Sequence, residues 1–175
     1  VIGGLGYIGS ILVQDLLSLN YHVNILDINY YGCHFDKKTL KNSRLKVFYG
    51  DCDNKKILNK AMVDCTDVIH LGEIVGDPAV SLDRNFSIKN NYDSTVAVVS
   101  ECLKNKIDKF IFASSCSMYG ASGNKKKKET DKLFPLTDYA KSKVNAEREL
   151  KKISCNYFRV TSLRFATAAG LSHNL

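Results

Sequence analysis

The fold of this chain is decided by the stretch Gly3-Gly4-Leu5-Gly6-Tyr7-Ile8-Gly9. Its glycines fit two overlapping patterns, G-x-G-x-x-G starting at Gly4 and G-x-x-G-x-x-G starting at Gly3. Two apolar residues precede the stretch, and an apolar stripe at helical spacing runs through and beyond it: Ile8, Ile11, Leu12 and Leu16. Glycines between a strand and a helix let the backbone approach a pyrophosphate, which then meets free N–H groups at the helix N-terminus. We therefore predict a dinucleotide-binding turn.

Asp27 lies at the distance from this turn that dinucleotide binding requires. It follows Gly9 by 18 residues and ends an apolar run that begins at Val23. A carboxylate at this place accepts hydrogen bonds from the ribose hydroxyls and repels a 2′-phosphate, so NAD is favoured over NADP. The alternative, that Asp27 only begins a turn, stays open.

The rest of the chain alternates between short apolar runs and helical patterns. The strand candidates are residues 1–2, 23–26, 45–49, 68–71, 110–113 and 158–163. One helical pattern spaces Ile88, Tyr92, Val96, Val99 and Leu103 by three or four residues, and another covers residues 139–152. This alternation predicts an α/β fold with a doubly wound parallel sheet, in which ligands gather at the carboxyl ends of the strands.

Composition narrows the class of protein. The 175 residues are 45% hydrophobic and 25% charged, and no apolar run is long enough to span a membrane. The six cysteines are scattered without zinc-ligand spacing, which favours reduced thiols in a cytoplasmic protein and no metal.

Much of the net charge of +7 sits in residues 125–128, all lysine. We expect a solvated loop there rather than a nucleic-acid site, because no aromatic residues interleave the run.

Ser115, Tyr139 and Lys143 form a second constellation. Tyr139 and Lys143 are four residues apart and therefore share one face of a helix. An ammonium beside a phenol favours the phenolate and lowers the pKa of Tyr139 from about 10 towards neutrality. Such a tyrosine can exchange a proton with a substrate hydroxyl or carbonyl, and Ser115 can hydrogen-bond the same oxygen.

The order and spacing of these motifs resemble those of the extended short-chain dehydrogenase/reductase family, which includes NAD-dependent nucleotide-sugar epimerases and dehydratases. The resemblance covers nearly the whole chain and selects the wider glycine pattern of Gly3, Gly6 and Gly9. Beyond the glycine turn it rests on the following segments: Gly50-Asp51, His70-Leu71-Gly72, residues 90–95, Ser114-Ser115-Cys116-Ser117-Met118-Tyr119-Gly120, Tyr139-Ala140-Lys141-Ser142-Lys143 and Leu163-Arg164-Phe165-Ala166-Thr167.

The resemblance implies a role for each matching residue. Ser115, Tyr139 and Lys143 correspond to the catalytic Ser/Thr, Tyr and Lys. Asp51 accepts a hydrogen bond from the adenine amino group, and Lys143 also bonds the nicotinamide ribose. The implied cofactor-binding set is Gly3, Gly6, Tyr7, Ile8, Gly9, Asp27, Asp51, Cys52, Leu71, Gly72, Asn90, Tyr139 and Lys143.

The chain also departs from the family pattern. Cys116 and Ser117 stand where sugar dehydratases carry an acid pair, so dehydration is disfavoured. Thr167 stands where galactose-type epimerases commonly have an Asn, which leaves the sugar open. Glu73 takes a place usually held by a small residue and has no assigned role at this stage.

The reaction that the resemblance implies is epimerisation of a nucleotide sugar. Tyr139 removes a hydroxyl proton while hydride passes to bound NAD, and the hydride returns to the other face of the keto intermediate. A reductase, dehydrogenase or dehydratase of the same family is an alternative, and so is a non-catalytic member that binds NAD(H) or RNA. We expect residues 1–175 to be an NAD-binding Rossmann fragment without its substrate lobe, inactive alone, from a homodimeric protein.

Overall fold

A computed structural model describes residues 1–73, 84–121 and 125–172. The strands are β1 (Val23–Asp27), β2 (Leu45–Tyr49), β3 (Asp67–His70), β4 (Lys109–Ser115) and β5 (Arg159–Phe165). The helices are α1 (Tyr7–Ser18), α2 (Lys37–Leu40), α3 (Lys55–Met62), α4 (Arg84–Lys104) and α5 (Asp138–Ile153), with a 3-10 helix at Cys116–Tyr119. None of the described helices is long and apolar enough to cross a membrane.

The strands pair in parallel, as the alternating pattern predicted. β1 pairs with β2, and β3, β4 and β5 pair in that order. Ile2 joins the two groups by parallel bridges to Leu26 in β1 and His70 in β3. The spatial order β2–β1–Ile2–β3–β4–β5 therefore reverses at Ile2, which is the place where doubly wound sheets bind their ligands.

Two hydrophobic clusters cover the sheet. Ile25 belongs to the cluster that includes Val13 and Leu17 of α1. Its neighbour Leu26 belongs to the other cluster, which draws residues from α3, α4 and α5. Because consecutive side chains of a strand point to opposite faces, helices pack on both sides of this sheet. The doubly wound Rossmann prediction is thereby confirmed.

The first helix packs through a different face from the predicted stripe. Its buried residues are Gly9, Ser10, Val13 and Leu17. Ile8 and Ile11 of the predicted stripe are instead 38% and 39% exposed. The small residues Gly9 and Ser10 let the helix approach the glycine turn closely, and this contact turns the predicted stripe partly towards solvent.

Helix α4 also departs from its predicted stripe. Val99 is fully buried as predicted, whereas Leu103 is 42% exposed. The polar residues Asn91, Ser94 and Thr95 are buried instead. Buried polar side chains need hydrogen-bond partners, and Thr95 finds its partners in the site described below.

Helix α5 is fixed to the end of the sheet by a charged cluster. Arg164 of β5 donates to the Glu147 carboxylate at 2.7 Å and to the Tyr119 hydroxyl at 2.7 Å. A guanidinium bonded to two such partners fixes the distance and the orientation between the elements that carry them. The cluster joins α5 to β5 and to the short helix Cys116–Tyr119. The lysines at 125–128 lie exposed and without regular structure, as predicted.

Candidate active site

The glycine turn is held against the end of β3. Gly3 has a φ of +78°, a region that side chains rarely adopt. A Cβ at Gly3 would lie 2.6 Å from the backbone N of Gly72 and 2.9 Å from the backbone carbon of Leu71. Leu71 in turn donates its N–H to the carbonyl of Ile2 at 2.9 Å. The predicted residues Gly3, Leu71 and Gly72 thus meet at the switch point of the sheet.

The turn opens onto the N-terminus of α1. A Cβ at Gly9 would lie 2.2 Å from the carbonyl oxygen of Gly3, so the helix and the turn touch through backbone atoms. Gly6, the N-cap residue, has more room, because the nearest atom to an added Cβ is 3.4 Å away. No side chain caps α1, and its first turn holds no acidic residue. The free N–H groups at this end are therefore suited to an anion.

The wider glycine pattern explains the turn better than the narrower one. Gly3 and Gly9 are constrained by backbone atoms, whereas a Cβ at Gly4 would meet only the side chain of Ile25, at 2.9 Å. Gly3 is also the one glycine of the turn with a positive φ, so glycine is needed there most strictly. Gly9 is tight and Gly6 has room in both patterns, so the preference for the wider pattern rests on Gly3.

Asp27 ends β1, as predicted, and its carboxylate faces the turn. One oxygen accepts from the N–H of Leu5 at 2.9 Å, and the other accepts from the N–H of Asn29 at 2.8 Å. The second bond is the turn role that we left open from the sequence. Each carboxylate oxygen has a further lone pair, so ribose hydroxyls can still donate to Asp27.

Asp51 and Cys52 follow β2 at the same edge of the sheet. Asp51 is exposed and accepts from the N–H of Asp53 at 3.0 Å. Burial raises the pKa of the Cys52 thiol to about 12, with smaller contributions from Asp51 and Asp53. The ligand atoms of these three side chains lie within 4.8 Å of one another. Asp51 and Asp53 are exposed, and exposed acidic groups often lie together without a metal ion.

Tyr7 contacts a segment from the other end of the chain. Its hydroxyl donates to the carbonyl of Gly170 at 2.6 Å, and its carbonyl accepts from the Ser172 hydroxyl at 3.1 Å. Ile8, the other predicted pyrophosphate donor, lies in the first turn of α1. Asn90 lies on α4, but its side chain is outside the described part of the structure.

The predicted tyrosine–lysine pair is brought together at the start of α5. Thr137 caps this helix by accepting from the N–H of Ala140 at 3.2 Å. The helical turn then sets the ammonium of Lys143 5.5 Å from the centre of the Tyr139 ring and 4.6 Å from that of Phe112. Both distances allow a cation–π attraction. Lys143 is buried, so the ammonium is held in place by the fold rather than by solvent.

Ser115 is the last residue of β4 and lies on the same edge of the sheet. Its hydroxyl oxygen accepts from the N–H of Ser117 at 3.2 Å and so caps the short helix Cys116–Tyr119. The hydroxyl proton can still be donated to a second acceptor. Cys116 is exposed, and Ser117 carries a buried hydroxyl that has no partner among the described residues.

A buried carboxylate that the sequence analysis left without a role also reaches Lys143. The ammonium donates to the Glu73 carboxylate and to the carbonyl of Ala113. The Thr95 hydroxyl lies 3.3 Å from the other Glu73 oxygen and 3.2 Å from Nε2 of His70. These contacts form a chain from β3 through α4 to α5. The sequence signals were the unusual acid at position 73 and a polar residue, Thr95, directly before the apolar run 96–99.

Burial controls the charge of the groups in this chain of contacts. It lowers the pKa of His70 to about 3, with the Lys143 ammonium adding to the effect, so this imidazole is neutral. Its Nδ1 has no partner among the described residues. Burial also raises the pKa of the Glu73 carboxyl, while Lys143 and the Thr95 hydroxyl oppose that rise. The Lys143–Glu73 pair lies at the centre of this buried network.

A Rossmann sheet with a glycine turn at its switch point and a tyrosine–lysine pair beside it defines an extended short-chain dehydrogenase/reductase. A sequence model described as "NAD dependent epimerase/dehydratase family" matches residues 1–174. The chain therefore belongs to that family, whose cofactor is NAD.

Curated and solved relatives agree with this assignment. The UDP-glucose 4-epimerase of Rhizobium meliloti (strain 1021) is 30% identical over 97% of this chain and 51% of its own length. The sterol-4-alpha-carboxylate 3-dehydrogenase, decarboxylating, of Mus musculus is 29% identical over 85% of this chain and 39% of its own length. Among solved structures, the UDP-N-acetylglucosamine 4-epimerase of Methanobrevibacter ruminantium M1 is 30% identical, with a TM-score of 0.81 over 93% of this chain and 52% of that one.

A structure of the Thermus thermophilus UDP-glucose 4-epimerase in complex with NAD is 25% identical, with a TM-score of 0.81 over 93% of this chain and 53% of that one. The present chain thus spans about half the length of the epimerases that it matches.

Proposed function

We propose that the protein is an NAD-dependent nucleotide-sugar epimerase, and that residues 1–175 supply its cofactor site and its proton-transfer residues. The Tyr139–Lys143 pair carries the proposal. The Lys143 ammonium lies 5.5 Å from the centre of the Tyr139 ring, on the carboxyl edge of the sheet beside the glycine turn. The similarity to UDP-sugar 4-epimerases over nearly the whole chain supports epimerisation as the reaction.

The glycine turn and the N-terminus of α1 fit the cofactor. Backbone N–H groups of Tyr7 and Ile8, at the uncapped end of α1, bind the pyrophosphate, and Gly6 leaves it room. Asp27 accepts from the adenosine ribose through the lone pairs that Leu5 and Asn29 do not use. The remaining cofactor contacts that we propose come from Gly3, Gly9, Asp51, Cys52, Leu71, Gly72 and Asn90.

Tyr139 moves the proton in the proposed reaction. When bound, NAD would supply a reversible hydride acceptor. The Tyr139 phenolate takes the proton of the sugar hydroxyl and returns it after the sugar has presented its other face. Ser115 donates its hydroxyl hydrogen to the same sugar oxygen. Lys143 stabilises the phenolate through its charge, and its third N–H can bond the nicotinamide ribose.

The short helix after β4 supports epimerisation over dehydration. Dehydration needs a general acid and a general base near the sugar, and in the sugar dehydratases that the sequence resembles an acid pair supplies them. Cys116 and Ser117 hold those places here, and neither is a carboxylic acid.

A dehydrogenase is the second candidate, because sterol-4-alpha-carboxylate 3-dehydrogenases match 85% of the chain. The two reactions use the same tyrosine and lysine and differ in cofactor balance. A dehydrogenase converts one NAD to NADH for each substrate consumed, whereas an epimerase leaves the NAD pool unchanged.

The test is to incubate the full-length protein with NAD and a panel of UDP-sugars, and to measure the epimeric product and the NADH formed. We expect product without net NADH. Replacing Tyr139 with Phe should lower turnover by at least about 100-fold, the usual contribution of a general base, and leave NAD affinity nearly unchanged.

The matched control is Tyr157→Phe, because Tyr157 is 81% exposed and precedes β5, at the opposite edge of the sheet from the proton-transfer pair. This variant should turn over like the parent. Stoichiometric NADH would favour the dehydrogenase instead, and full activity of the Tyr139 variant would remove that tyrosine from the mechanism.

A further inference from the structure

Glu73 and Lys143 form the one ion pair among the described residues in which both side chains are almost fully buried, with 3% and 2% of their surfaces exposed. The other buried carboxylate, Glu101, pairs with Lys104, whose side chain is 61% exposed. Burying two charges is costly unless they are paired and hydrogen-bonded. The Thr95 hydroxyl and the Ala113 carbonyl supply those additional bonds.

The groups that face Lys143 come from every element packed around it. Glu73 and His70 approach from the end of β3, the Ala113 carbonyl and the Phe112 ring from β4, and Tyr139 from its own helix. His70 is neutral, and Glu73 is therefore the only described anion in this set. An ammonium in direct contact favours the ionised carboxylate, so the pair carries no net charge.

We propose that Glu73 is a positioning residue that acts on Tyr139 through Lys143: its carboxylate partly cancels the pull of the ammonium on the Tyr139 phenol. Without Glu73, the full positive charge of Lys143 acts on the phenol, and Tyr139 ionises at lower pH. Glu73 thus sets the pH range in which Tyr139 exchanges its proton. This inference rests on the role of Tyr139 in the proposed function, but its first test does not require that reaction.

The expected size of the effect follows from the distances. The ammonium lies 5.5 Å from the centre of the Tyr139 ring, and its hydrogen-bonded carboxylate is within about 9 Å of that centre. A unit charge at this distance, at the effective dielectric constant of protein sites, shifts an ionisation by about one pH unit. Lys143 keeps the Ala113 carbonyl and two aromatic rings after Glu73 is removed, and these contacts retain the ammonium.

The experiment is a near-ultraviolet absorbance titration of phenolate in the full-length protein. The signal of Tyr139 is the difference between each protein and the same protein carrying Tyr139→Phe. We expect Glu73→Gln to lower the Tyr139 midpoint by about one pH unit. An unchanged or raised midpoint would overturn the proposal.

Two further variants separate charge from structure. Glu101→Gln removes a buried carboxylate at the far end of α4, and we expect an unchanged midpoint; an equal shift there would overturn the proposal. If Glu73→Gln does not fold, as judged by circular dichroism, Glu73→Ala replaces it, since a smaller side chain leaves room for water around Lys143. The same lowered midpoint is expected, and its absence would overturn the proposal.

The pH profile of turnover then connects the inference to the reaction. We expect the acidic limb for Glu73→Gln to move to lower pH by the same amount as the phenolate midpoint. A shifted midpoint in a protein that epimerises none of the sugars would leave Glu73 in its role and refute the proposed function. Turnover of a UDP-sugar with an unshifted Tyr139 midpoint would support the proposed function and refute the role of Glu73.

Discussion

Replacing Gly9 with Ala tests whether the glycine turn and α1 form one rigid unit. The added Cβ would lie 2.2 Å from the Gly3 carbonyl oxygen and 2.8 Å from the Cα of Gly4. Both are backbone atoms, and the first contact must lengthen by roughly 1 Å to become an ordinary one. The helix therefore has to move away from the turn.

The destabilisation caused by Gly9→Ala can be estimated from two opposing effects. Overpacking of a tight interior site costs about 3 kcal/mol at the upper end of the usual range. Gly9 lies within α1, where alanine is intrinsically better than glycine by roughly 1 kcal/mol. The free energy of unfolding should thus fall by about 2 kcal/mol, and the melting temperature by roughly 4–8 °C for a domain of this size. NAD affinity should fall at least about tenfold, because the N–H groups that bind the pyrophosphate move with the helix.

Thermal circular dichroism and isothermal titration calorimetry with NAD give the two readouts; the chain contains no tryptophan for a fluorescence assay. Gly6→Ala is the matched control. Its Cβ meets nothing closer than 3.4 Å, so stability should change by no more than about 1 kcal/mol. NAD binding should nevertheless weaken, because the methyl group enters the space left for the pyrophosphate. A Gly9→Ala protein as stable as the parent would refute the packing argument. Normal NAD binding by Gly6→Ala would refute the proposal that the pyrophosphate lies beside Gly6.

Two further outcomes are expected. Asp27→Asn should reduce the preference for NAD over NADP by about tenfold, since the amide no longer repels a 2′-phosphate; competitive binding of the two dinucleotides measures this, and an unchanged ratio would exclude Asp27 from the selection. Iodoacetamide at pH 8 should alkylate the exposed Cys116 rapidly and spare Cys52, whose pKa of about 12 keeps the thiol protonated. Peptide mass spectrometry reads out both sites, and equal labelling would contradict the burial of the Cys52 thiol.

The sheet could be predicted from the sequence because its signals are local. Most strand candidates are short apolar runs, and each candidate from Val23 onwards overlaps an observed strand. The same holds for the spacing of Tyr139 and Lys143, because one helical turn alone brings them together. Local patterns of this kind depend on the chain geometry within a few residues and are insensitive to the rest of the fold.

Which helix face is buried could not be predicted in the same way. The stripe through Ile8 and Ile11 is the more apolar face of α1, yet the glycine turn packs against Gly9 and Ser10. On α4, the buried Thr95 has partners from other elements of the fold. The spacing of apolar residues predicts a buried face from hydrophobicity alone. It cannot predict close backbone contacts, or buried polar groups whose partners lie on other elements of the fold.

The structure also explains how the cofactor turn and the proton-transfer pair are joined. Gly3 packs against the backbone of Gly72, and the next residue, Glu73, binds Lys143. Two neighbouring residues after β3 therefore touch both halves of the site. Leu71, Gly72 and Glu73 are each half-buried as whole residues, and their segment contacts the glycine turn through Gly72 and the Lys143 ammonium through Glu73. The proposed dinucleotide turn and the Tyr139–Lys143 pair are therefore joined through one short segment, although they lie more than a hundred residues apart in the sequence.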